Sequence, residues 1–122
     1  MNKKFIVPFK TAQLLKKAGC DCVTNFYYRS DGNFEIGIEV NNNILQEGNI
    51  AAPAYCELIE WFLSKGIYID CNIYFYDEDL QDTTIVKYWC DINSKTHEIQ
   101  TGDYDKREDA LNVAVLEAIK IL

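Results

Sequence analysis

Apolar residues recur along the chain with two different periods, and the changes from one to the other mark its elements. Thr11, Leu14, Leu15 and Ala18 stand at i, i+3, i+4 and i+7 behind Pro8, with the lysines opposite, which predicts an amphipathic helix over 8–18 ended by Gly19. The next stretch, "NFYYRSDGNFEIGIEV", places two strand-like runs around Asp31-Gly32, and its second arm alternates Phe34, Ile36, Ile38 and Val40 with Glu35, Gly37 and Glu39. A hairpin with one buried face is expected there.

"NNNILQEGNIAAP" has no clear period and reads as a connection. Pro53 then opens a second helix closed by Gly66, with Tyr55, Leu58, Ile59, Phe62 and Leu63 on one side and Trp61 near the polar side, where a neighbouring loop can cover it. "GIYIDCNIYFYDE" alternates most clearly: Ile67, Ile69, Cys71, Ile73 and Phe75 on a core face, Tyr68, Asp70, Asn72, Tyr74 and Tyr76 on the other. "TTIVKYWCDI" and "HEIQTGDY" follow as two more strands joined at "NSKT". Asp105 is placed to cap a last helix, with Glu108 three residues on and Leu111, Ala114, Val115, Ala118 and Leu122 as its stripe.

The order α-ββ-α-βββ-α, with one apolar stripe per helix and one apolar face per strand, predicts an α+β two-layer sandwich. It has an antiparallel sheet of about five strands and three helices on one face. A length of 122 residues suits a single domain over 1–122. With no apolar run long enough to span a membrane, and a proline interrupting "MNKKFIVPFK", a soluble cytoplasmic protein is expected. Five cysteines without regular spacing fit reduced thiols better than a disulfide framework.

Charge narrows the partners. A net charge of −7 disfavours nucleic acid, yet Lys3, Lys4, Lys10, Lys16 and Lys17 precede any acid, so residues 1–19 carry +5 and the rest −12. A nucleic-acid accessory role through that lysine face is therefore kept as an alternative.

Candidate chemistry is sparse. Cys20-Asp21-Cys22 could chelate a soft metal or cycle between thiol and disulfide, but its surroundings read as a helix end entering the core. With Ser94 and Lys95 at the tip of the last turn, Cys90 would face Ile99 and lie diagonal to His97, leaving a Cys/His enzyme or small-molecule binder as a further alternative. Asp77, Glu78, Asp79 and Asp82 match no calcium loop and read as a solvated turn. No catalytic residue, metal ligand or cofactor is assigned.

The outward strand face is the most suggestive surface. Tyr68, Tyr74, Tyr76, Lys87 and Trp89 form an aromatic, mixed-polarity platform, and its acidic neighbours favour a protein over RNA; Trp61 adds a second patch. "VPFKTAQLLKKAGCD", "AAPAYCELIEWFLSKGIYI" and "GDYDKREDALNVAVLEAIKIL" resemble a family of small uncharacterised proteins encoded by bacteriophages and integrated mobile elements of bacteria. The shared features are a Val-Pro-aromatic start, a Leu-Lys helix ending in Gly and an Ala-Pro helix start carrying a Trp. The resemblance implies an origin and no catalytic residue. The expectation is a non-enzymatic interaction module binding a protein partner, with a homodimer as one form of that partnership.

Overall fold

Pro8, at φ −63° and ψ 160°, holds the chain extended up to the first helix, α1 (Phe9–Lys17). Gly19 ends it with φ +87°, a left-handed conformation that lets the Cys20 N–H reach back to the Leu15 carbonyl at 3.0 Å. The computed structural model describes residues 3–77 and 84–122, with backbone alone at 76, 77, 84 and 85.

The buried side of α1 is Thr11, Ala12 and Leu15, whereas Leu14 and Ala18, expected inward, are exposed. Adjacent Leu14 and Leu15 lie about 100° apart on the helix, so packing can take only one of them to the centre. The neighbours that decide it include β3 and α3, and the Thr11 hydroxyl donates to Asn112 Oδ1 on α3 at 2.8 Å.

Strands β1 (Thr24–Tyr28) and β2 (Phe34–Val40) form the expected hairpin. Its turn is held by the Asp31 carboxylate, which accepts both the backbone and side-chain N–H of Asn33 at 2.9 Å. The connection after β2 contains a strand that spacing did not reveal, β3 (Ile50–Ala51), paired with β1. Two residues are too few to show a period. Asn42 fixes this segment instead: its side chain donates to the Cys20 carbonyl at 2.9 Å and accepts from the Ala51 N–H at 2.8 Å.

Helix α2 (Tyr55–Ser64) buries Tyr55, Leu58 and Phe62, with Ile59 partly covered and Leu63 exposed. It ends like α1, with Gly66 at φ +82° and the Ile67 N–H bonded back to the Phe62 carbonyl at 2.9 Å. Beyond it, β4 (Tyr68–Asp77) and β5 (Thr84–Asn93) pair without a register shift from Tyr68↔Asn93 to Asp77↔Thr84, and β6 (Glu98–Gln100) lies on the other side of β5.

Among the described residues the fold is α+β, with three helices and two three-stranded antiparallel sheets, ordered β2-β1-β3 and β4-β5-β6, rather than one sheet of about five strands. The last helix, α3 (Arg107–Lys120), has Lys106 rather than Asp105 at its N-cap position, with no side-chain cap bond. Asp105 is drawn one residue outside the helix because its carboxylate pairs with Lys87. Ala110, Leu111, Ala114, Val115 and Ala118 form the predicted stripe, while Leu122 lies past the helix and is exposed.

One buried cluster joins both sheets and all three helices, with Leu15, Leu58, Phe62, Ile92 and Leu111 fully enclosed. Two predicted core faces extend beyond it. On β2, Ile36 and Ile38 are 66% and 86% exposed; on β4, burial falls from Ile67 and Ile69 through half-buried Cys71 to Ile73 and Phe75, 48% and 65% exposed. Length explains the β4 overhang. A ten-residue strand runs about 33 Å, whereas α2 and α3 run only about 15 and 21 Å, so the helices cover one end of the ribbon.

Candidate protein-interaction site

The period of two sends Tyr68, Asp70, Asn72 and Tyr74 to the face of the β4–β5 ribbon opposite the helices, together with Lys87, Trp89, Asp91 and Asn93. The register sets Tyr74 across from Lys87, Asn72 from Trp89, Asp70 from Asp91 and Tyr68 from Asn93. Tyr74, Lys87 and Trp89 are therefore brought together as expected, with Tyr68 at the far end. The Tyr76 side chain and the acidic loop lie outside the described residues.

Much of the polarity on this face is satisfied within the chain. The segment after β6 bridges to β5 through Tyr88 and Tyr104, placing its acids alongside Lys87. Asp103 accepts the Tyr74 hydroxyl at 2.5 Å, and Asp105 pairs with the Lys87 ammonium. Asp91 accepts from the side-chain amides of Asn72 and Gln100, both at 3.4 Å. Tyr74 and Trp89 are half-buried, and Tyr68 is the exposed aromatic of the set.

Trp61 is not part of this platform. It lies on α2, which packs against the opposite face of β4. Its indole N–H donates to Asp21 at 2.8 Å, its ring meets Phe62 edge-on, and the Lys65 ammonium lies 5.4 Å from the ring centre. The loop carrying Asp21 covers it, as anticipated.

The lysines are dispersed. Lys10 and Lys17 share a side of α1 two turns apart, Lys16 donates to the Asn49 carbonyl at 3.2 Å, and Lys3 and Lys4 lie over the rings of Phe34 and Phe5. They do not line one groove.

Cys20 and Cys22 are both buried in the core. Burial pushes the Cys20 thiol up to about 11 and, with help from Cys20 and Glu57, the Cys22 thiol up to about 12. Raised thiols are poor nucleophiles at neutral pH. Register does not bring Cys90 and His97 together as expected. Ile92, not Cys90, faces Ile99, and Cys90 lies against Thr101, which accepts its N–H at 2.8 Å. His97 sits exposed in the hairpin turn, bonded to Thr96 Oγ1 at 2.8 Å, while Cys90 is fully buried. The hairpin turns at Lys95 and Thr96, one residue later than expected, because Ser94 Oγ accepts the N–H groups of Thr96 and His97.

The residues that the sequence reading mistook for core are Ile73 and Phe75 on β4 and Ile36 and Ile38 on β2. Alternation placed them correctly on one face each; the strand-to-helix length ratio was the available signal that part of β4 would stay uncovered. Depressions among the described residues are open and mixed in lining, such as the one of about 410 Å³ between Lys65, Ile67, Lys95 and Ile121. Among the described residues no helix is long and apolar enough to cross a membrane. No family model, curated protein or solved structure matches the chain.

Proposed function

We propose that this chain is a small, non-enzymatic interaction module of a phage or mobile element, acting in the cytoplasm and binding a protein partner through the β4–β5 ribbon. The observation that carries this reading is the exposure of Ile73 and Phe75 on a strand whose other half is buried. Uncovered apolar side chains in a contiguous patch are the feature that protein interfaces bury. Tyr68, Tyr74 and Trp89 lie on the other face of the same ribbon, with Lys87 as a paired charge among them.

The test is affinity capture from host extract with the wild-type chain and with Ile73→Asp/Phe75→Asp, after circular dichroism has shown that both fold. Capture of a defined partner by the wild type and its loss in the variant is the expected result. Equal capture by both removes the reading. Light scattering on the same samples distinguishes a second copy of the chain from a different protein.

A further inference from the structure

Cys71 and Cys90 stand directly opposite each other on adjacent antiparallel strands, on the same face. Which kind of opposed pair they form follows from the other side of β5. The Cys90 carbonyl accepts the Thr101 N–H at 2.9 Å, and the Cys90 N–H donates to Thr101 Oγ1 at 2.8 Å. Tyr88, two residues earlier, exchanges both backbone bonds with Tyr104 at 2.8 Å. The backbone groups of Cys90 therefore point away from β4, which makes Cys71 and Cys90 a non-hydrogen-bonded pair. In that arrangement opposed Cα atoms lie about 4.5 Å apart and the side chains approach most closely. A disulfide needs a Cα separation of roughly 4.4 to 6.8 Å.

We propose that Cys71 and Cys90 are an oxidisable dithiol that closes to an intrachain cross-strand disulfide under a hydroperoxide. Cys71, half-buried, is the entry point, and Cys90, fully buried beneath it, is the resolving thiol. The Cys71 thiolate attacks one peroxide oxygen and the O–O bond breaks. Cys71 keeps an OH as a sulfenic acid, and the other oxygen leaves as water once protonated. Cys90 sulfur then attacks Cys71 sulfur; the S–S bond forms, the S–O bond breaks, and the hydroxyl departs as water with the proton that Cys90 gives up. Two thiols lose two electrons, and one hydrogen peroxide becomes two waters.

Burial first, then the neighbouring Cys71 thiol, push the Cys90 thiol well above the usual thiol range. Cys90 is thus not the thiol that meets the peroxide first; its closeness to Cys71 across the strand pair is what suits it to the second step. The pair sits where the covered half of the ribbon meets the half bearing Ile73 and Phe75, so the bond would pin β4 to β5 at that boundary.

The experiment treats the reduced full chain with hydrogen peroxide, quenches with acid, alkylates in denaturant and maps the peptides by mass spectrometry. A peptide joining Cys71 to Cys90 in the monomer, with Cys20 and Cys22 still alkylated, is the expected result. In Cys90→Ala, Cys71 should instead be trapped as a sulfenic acid by dimedone. Should that variant fail to fold, the wild-type map decides. Any map in which exposed Cys56 is oxidised while Cys71 and Cys90 remain unjoined, or in which either pairs with another cysteine, overturns the proposal.

Discussion

The carboxylate of Glu57 accepts the hydroxyl of Thr24 at 2.8 Å, and the same oxygen takes the Ala54 N–H at 2.9 Å, so one side chain caps the start of α2 and ties it to β1. Thr24 is buried, which leaves its hydroxyl dependent on that acceptor. Glu57→Ala should destabilise the protein by about 1–2 kcal/mol in urea titration. Thr24→Val should cost less in that variant than in the wild type, and a double-mutant cycle with no coupling would contradict the shared bond.

Leu14 and Leu15 separate the observed orientation of α1 from the expected one. Leu15 is fully enclosed and Leu14 largely solvent-facing. Leu15→Ala should cost about 2–5 kcal/mol, whereas Leu14→Ala should stay near 0.5 kcal/mol. Thermal or urea unfolding of the two variants gives the comparison, and similar losses would mean that the helix is rotated from the orientation described.

Thr101 supplies an acceptor where the β5–β6 ladder has ended, since its Oγ1 takes the Cys90 N–H and donates onward to the Gly102 carbonyl at 3.0 Å. Thr101→Val keeps the shape and strands a buried N–H, for an expected loss of about 1–3 kcal/mol. Thr101→Ser retains the oxygen and should recover most of it.

Asp70 and Asp91 face each other across β4 and β5. Like charges directly opposed destabilise a strand pair by a few tenths to about 1 kcal/mol. Asp70→Asn should therefore raise stability at neutral pH by a measurable shift in the urea midpoint, and the gain should shrink as salt rises.

Stability should also fall in alkali. The Cys20 and Cys22 thiols have folded-state values of about 11 and 12 against an ordinary 9.0, so the unfolded chain gives up these protons first. Their contribution is complete below pH 9 and is lost as pH rises from 9 through the folded values. Tyr28, raised by burial, acts in the same direction. The urea midpoint of the wild type should drop between pH 9 and 11 more steeply than that of Cys20→Ala/Cys22→Ala, and parallel curves would exclude the two thiols as its source.

The turn at Asp31-Gly32, the helix ends at Gly19 and Gly66, the ten-residue alternation of β4 and the stripe Leu111, Ala114, Val115 and Ala118 depend on short-range geometry. Such features are written into neighbouring residues. Among the candidate site residues, Tyr74, Lys87 and Trp89 were grouped correctly because strand parity alone fixes their face. Their commitments to Asp103 and Asp105 were not visible, since those acids approach through a bridge between Tyr88 and Tyr104.

The sequence by itself determined the α+β class, most element boundaries and which residues share a strand face, because periodicity and capping act over a few residues. Tertiary structure alone decided that the described strands divide into two sheets, that α1 turns Leu15 inward and Leu14 outward, and that His97 sits exposed in a turn while Cys90 is buried. It also decided that Ile73 and Phe75 outrun the helices while Cys71 meets Cys90 at the boundary. Those outcomes depend on register and on which surfaces long-range packing covers, and neither quantity is carried by any local stretch of chain.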